Sequence, residues 1–187
     1  MKARSDIMNV IDAVKNRVSI GKFLDKKVPV DLIYSMLDHA VYAPNHKLRE
    51  PWRFIILHEE GKDLFIHRYL SELSDDQQNE IKPTLLKVFS APLILAVIMP
   101  TSKDMLDELE DLQANAAMIQ NFLLLANENQ LATFWKTPRY IESDKFKDVL
   151  GLLPHELVTA LIMVGYSDQI PVPKKRKESS DLITIYR

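Results

Sequence analysis

Four separated stretches of this 187-residue chain carry side chains that suit a phosphate and a flat ring. Arg17, Ser19 and Lys22 offer a planar guanidinium fork, a hydroxyl and a point charge, a set that binds phosphate through charge-assisted hydrogen bonds. Arg176, with Lys174 or Lys175, could complete that shell. His46 and Lys47 add donors, and Arg49 a further cation, from a loop bounded by Pro44 and Pro51. Trp135, Lys136 and Thr137 end a short apolar run, where backbone N–H groups lie beside an aromatic surface. Together these are parts of a site for a bound, phosphorylated, flat aromatic cofactor. Each alone also has an ordinary reading: Arg17 could cap a helix C-terminus, Trp135 could be core, and Lys174 to Lys177 could be a solvated tail.

Composition narrows the alternatives. The chain has no cysteine, which removes disulfides, thiolate nucleophiles, iron–sulfur clusters and Cys-type zinc sites, and fits a reducing cytoplasm. Net charge is -2, with both signs spread along the chain, so nucleic acid is disfavoured as a partner. No apolar run approaches a membrane span, and the N-terminus lacks a signal-peptide core. The four glycines, Gly21, Gly61, Gly151 and Gly165, cannot form a GxGxxG turn or a P-loop. Any phosphate must therefore be held largely by side chains.

The elements that must position these residues follow from periodicity. Ile7, Val10, Ile11 and Val14 predict a helix ending near Asn16, and Leu32, Ile33, Met36, Leu37 and Ala40 a second one after Pro29. The two prolines of the loop from Ala43 to Leu57 predict an extended, rigid lead into a strand from Trp52 to Leu57. Ser74 to Gln77 reads as a capping box, and Leu93 to Met99 as an interior strand. A helix opening within Thr101 to Asp104 should reach about Gln130, its early Asp107, Glu108, Glu110 and Asp111 complementing the helix dipole. From Ala114 to Ala126 that helix lacks a polar face, so it should be buried all round, by its own domain or by a partner subunit. Strands are expected at Leu131 to Trp135 and Leu157 to Val164, with a helix around Lys145 to Leu150 capped by Gly151 between them. Asp181 to Tyr186 alternates like a strand after a long solvated connection. The intermixed order predicts one α+β domain, residues 1–187, with a mixed β-sheet flanked by helices.

In this order, the stretches resemble the nitroreductase family of FMN-dependent oxidoreductases, in its compact bacterial branch, over nearly the whole chain. RVSIGKF is similar to the family's R-R-S-I-R-x-F motif, and APNHKLREPWRFIIL to its loop and strand with P-W-x-F. NAAMIQNFLLLANENQLATFW resembles its N-x-L-L-x-A helix and following W strand, and GYSDQIPVPKKRKESSDLI its tail. The resemblance implies a homodimer with active sites at the subunit interface and a swapped C-terminal strand. It implies FMN as cofactor, NADH or NADPH as donor, and a nitro, quinone or similar small-molecule acceptor reached by a ping-pong scheme, with no protein catalytic residue and no metal.

By the same resemblance, Arg17 and Ser19 bind the FMN phosphate or ribityl chain with Val18 between them, and Arg176 serves the phosphate. Trp135, Lys136 and Thr137 line the isoalloxazine edge. His46 approaches FMN held mainly by the other subunit, and Tyr42 stands where the compact branch carries an arginine. The chain departs from the pattern at Val18, Gly21, Glu50, Leu131 to Thr133, and Pro138, which has no N–H. Two of these remove cations, so weakened FMN binding is expected, and Gly21→Arg is expected to tighten it. A non-catalytic FMN-binding dimer is the alternative reading.

Overall fold

The computed structural model describes residues 9–169 and 174–187. Leu93–Pro100 (β2) is almost wholly apolar, and its first seven residues are buried, so it needs cover on both faces and partners on both edges. It pairs antiparallel with Arg53–His58 (β1) on one side and with Glu156–Gly165 (β4) on the other. Ala132–Lys136 (β3) then pairs antiparallel with β4, giving the order β1-β2-β4-β3. All four strands are antiparallel to their neighbours. The mixed character of the sheet is confined to an isolated parallel bridge, Ser19 to Thr133, on the outer side of β3.

Alternation along the strands builds two cores. Leu93, Leu95 and Val97 face Val30–Ala40 (α2) and Met105–Glu128 (α5), where Ile33, Met36, Met118 and Phe122 close the packing. Ile94, Ala96 and Ile98 face the side covered by Glu59–Ser71 (α3), Asp75–Val88 (α4) and Asp144–Leu150 (α6). A bulge between Val97 and Ile98 shifts the register, so Val158 and Ala160 face opposite cores although they are two residues apart. On the second face Phe65, Tyr69, Tyr140 and Phe146 form one aromatic cluster.

Several local signals act as their chemistry requires. The Ser74 capping box is present, and Gly151 closes α6 in the left-handed conformation. The first helix, Val10–Asn16 (α1), has Asn9 as its N-cap; Ile7, placed in it by sequence, lies outside the described residues, as do residues 170–173 of the tail. The periodicity missed α3, because this helix is largely polar and buries only Phe65 and Tyr69.

For Ala114 to Ala126 of α5, the structure shows cover by its own domain, with only Gln120 exposed. Its own chain buries Ala114, Met118, Ile119, Phe122, Leu123 and Ala126 between α2 and the sheet. The uncovered apolar side chains lie earlier, with Met105 89% and Leu112 48% exposed. Val10, Ile11 and Val14 of α1 are exposed as well. No described helix is long and apolar enough to cross a membrane. Asp181 to Tyr186 forms no strand within this chain: Ser179–Leu182 is a 3-10 turn, Ile183 is extended, and Ile183, Ile185 and Tyr186 are exposed.

Candidate functional site

The sheet order divides the predicted site residues between its two edges. β3, one edge, carries Trp135 and Lys136 at its end, while the loop holding His46 leads into β1, the other edge. Both groups lie at the same end of the sheet, where β1 and β4 begin and β3 finishes. Three interstrand steps, about 14 Å, still separate the two edge strands.

At the β3 edge the structure gathers a cationic cleft. Arg17, Val18, Lys174 and Arg176 line a space of about 520 Å³ together with Val14, Lys15 and Asn16. Arg17 closes α1 through its backbone N–H, donated to the Ala13 carbonyl, so its capping role and its place in the cleft coexist. The Arg176 guanidinium donates to the Lys174 carbonyl at 2.9 Å, which ties the tail to itself. Ser19 bridges to Thr133, and the Ile20 N–H donates to the Thr133 carbonyl at 2.9 Å, fixing the segment beside β3. Lys22 and Lys175 do not line the cleft, whereas Lys15, which sequence reasoning passed over, does. The usable signal was its place in the last turn of α1, just before Arg17. Four cations converging from two distant segments suit a dianionic phosphate.

Above the cleft, β3 sends alternate side chains to opposite faces. Trp135 packs on the α2–α5 core, while Phe134 faces the other way with Phe23. The Lys136 ammonium lies 3.6 Å from the centre of the Phe134 ring, a cation–π contact. The Thr137-Pro138 step leaves the sheet into a 3-10 turn, Arg139–Glu142, and Pro138 itself offers no backbone N–H.

The loop at the β1 edge differs from the extended lead that its prolines suggested. Asn45 is extended, but Lys47, Leu48 and Glu50 have φ of 51°, 52° and 47°, in the left-handed region. Proline constrains only its own φ and the residue before it, and here even Glu50, before Pro51, is overridden. The Glu50 N–H donates to the Asn45 side chain at 2.9 Å, and buried Asn115 donates to the Pro51 carbonyl at 2.7 Å. Arg49, grouped by sequence with the ligand-facing cations, instead turns onto α5. Its Nε donates to Asp111 Oδ1 at 2.8 Å, Nη1 to Asp107 Oδ1 at 2.9 Å and Nη2 to Glu110 Oε2 at 3.1 Å. Burial works against the Arg49 charge, but the bonds to Asp111 and Glu110 outweigh it and leave its pKa raised. His46 remains 44% exposed, with Nδ1 3.8 Å from the other Glu110 oxygen. Tyr42, just before the loop, is 87% exposed and does not line the cationic cleft.

A groove of about 640 Å³ lies between β1, an edge strand, and α2, lined by Tyr34, Leu37, Val41, Phe54, Ile56 and His58 among others. No group of carboxylates and histidines among the described residues could hold a metal ion.

Comparison with known proteins follows the same outline. The model of the nitroreductase family matches residues 14–166. A Bacillus subtilis (strain 168) protein provisionally named NAD(P)H nitroreductase YfhC is 33% identical over 181 residues, 92% of each chain. The crystal structure of a nitroreductase-like family protein from Bacillus cereus superposes with a TM-score of 0.90 at 29% identity, covering 98% of this chain and 99% of that one. The FMN and NADPH-dependent nitroreductase NfnB from Sphigopyxis sp. strain HMH shares the fold, with a TM-score of 0.74 at 17% identity over 96% of this chain and all of that one.

Proposed function

Because the chain belongs to the nitroreductase family, we propose that it is an FMN-dependent NAD(P)H oxidoreductase working as a homodimer. The observation that carries this reading is the convergence of Lys15, Arg17, Lys174 and Arg176 on one cleft beside β3, which fits the phosphate of FMN. Arg17 and Arg176 supply forks to the phosphate, and Lys15 and Lys174 add point charges. Ser19 provides a hydroxyl, and Val18 passes beside the cofactor. Trp135, Lys136 and Thr137 follow the ring edge, with backbone N–H groups as donors. The chemistry that bound FMN supplies is acceptance of hydride from NADH or NADPH at N5 and its delivery to a nitro, quinone or similar small molecule, in ping-pong order. No protein acid or base is needed for hydride transfer itself. The domain is residues 1–187, and the cysteine-free sequence supports a cytoplasmic setting.

Three features support the dimer. His46 and Tyr42 sit at the opposite sheet edge from Arg17, so they suit the site of a second copy. The exposed Met105, Leu109 and Leu112 of α5, with Val10, Ile11 and Val14 of α1, form apolar surface that a partner would cover. The groove beside β1 offers an unpaired edge for Asp181 to Tyr186 of that partner, whose Ile183, Ile185 and Tyr186 are otherwise exposed.

The test is purified protein loaded with FMN and supplied with NADH or NADPH. Oxidation of the nucleotide coupled to loss of a nitroaromatic or quinone supports the proposal. Stoichiometric flavin with no turnover favours the non-catalytic FMN-binding dimer, and failure to take up FMN rejects both.

A further inference from the structure

Resting on the reading that His46 serves a partner's FMN site, we propose that Arg49 is a positioning residue for that site, acting through His46. Three of the four residues from Lys47 to Glu50 have left-handed backbone without being glycine. Such conformations persist only where the surroundings impose them. Arg49 is the strongest tether in the segment. Its guanidinium reaches Asp107, Glu110 and Asp111, three carboxylates within little more than one turn of α5, and Nη2 also donates to the Asp107 carbonyl at 3.1 Å. Only a planar fork can serve three acceptors spread in this way; a lysine ammonium is a single point. The side chain is 24% exposed, with its donors turned to the helix, so it is not placed to meet a ligand itself.

Glu110 couples the clamp to the site. One of its oxygens accepts from Arg49 at 3.1 Å, and the other lies 3.8 Å from His46 Nδ1. Arg49 therefore holds both the backbone on which His46 is carried and the carboxylate that faces its ring. Releasing Arg49 frees the loop, and His46 no longer arrives preorganised, so ordering it falls on cofactor binding.

A double-mutant cycle read by FMN fluorescence, with melting of the apo-protein alongside, tests this. Arg49→Met and His46→Ala are each expected to raise the FMN dissociation constant about tenfold, and the pair together no more than the larger single effect. Where Arg49→Met does not fold, Arg49→Lys keeps the charge among the three carboxylates while removing the fork, and the cycle is run on it. Additive losses, about a hundredfold for the pair, would show that Arg49 acts independently of His46 and overturn the inference. Unchanged affinity in either single variant would overturn it too. Wild-type protein that takes up no FMN would be a different failure, that of the cofactor reading beneath it.

Discussion

A Cβ built on Gly21 would stand 3.1 Å from Cδ1 of the Phe134 ring and 3.3 Å from Cε1. Gly21 is not in the left-handed region, so its role is to make room for that ring. Any side chain at 21 requires the Phe134 ring, over which the Lys136 ammonium lies, to give way by a few tenths of an ångström. Gly21→Arg should therefore fold with a lowered melting temperature and bind FMN no more tightly than wild type, against the simple expectation from counting cations. Paired dissociation constants and melting curves decide it, and tighter binding at unchanged stability would show that the ring yields freely.

The place of the lost cation falls to Lys15 in this account. One charge-assisted hydrogen bond is worth about 1.5 to 3 kcal/mol, so Lys15→Gln should weaken FMN roughly ten- to a hundredfold at 1.4 kcal/mol per decade. Because Lys15 sits near the end of a short, exposed helix, the melting temperature of the apo-protein should not move. The loss should shrink as salt rises, since exposed charges are screened. Titrations of both proteins at low and high salt provide the check, and equal affinity at low salt would remove Lys15 from the phosphate shell.

Much of the frame was legible because it rests on short-range rules. The apolar run of β2, the capping box at Ser74 and the glycine stop at Gly151 are each specified by neighbours in sequence. What stayed hidden depends on tertiary partners. α3 shows only a weak period because most of it is polar: Phe65 and Tyr69 are buried, and Ile66 and Leu70 reach the core only in part. The carboxylates of α5 read as dipole partners, and nothing local says that Arg49, far away in sequence, claims three of them. The left-handed loop was unreadable for the same reason: its proline signals favour extended backbone, and the clamp outweighs them. At the cleft, the motifs pointed to Arg17 and Arg176; the place of Lys15 in the turn before Arg17 was legible, but that it shares a cleft with the tail follows only from α1 and the tail standing side by side.

Stability should fall in acid through Glu156. The Arg53 hydrogen bond, at 2.7 Å from Nε, holds this carboxyl below the ordinary carboxylate range, and the Leu153 N–H donates to it at 2.8 Å. A depressed folded-state pKa gives stability that is present above the unfolded value, about 4.3 for a glutamate, and that is lost as pH falls through the folded value. Glu156→Gln should thus melt below wild type at pH 7, with the gap closing below about pH 4. Melting curves from pH 7 down to about pH 3 test the sign; a constant gap would mean that the loss is one of packing.

Deletion from Glu178 onward removes the segment proposed to lie beside the partner's β1. The truncated chain should dissociate at higher concentration than the full chain, because an exposed sheet edge and its groove lose their cover. Sedimentation over a dilution series measures this. A truncated protein that stays dimeric at the same concentrations and loads FMN normally would leave the tail without that role.

Mixed dimers test whether each cofactor site is built by two copies of the chain. Arg17→Ala and His46→Ala each damage every site of their own homodimer. In a heterodimer of the two, a trans arrangement concentrates both lesions in one site and leaves the other with Arg17 from one copy and His46 from its partner. Titration of the purified heterodimer with FMN should then find one site of wild-type affinity per dimer. Two weakened sites, each with a single lesion and neither of wild-type affinity, would place His46 and Arg17 at the same copy's cofactor and overturn this arrangement.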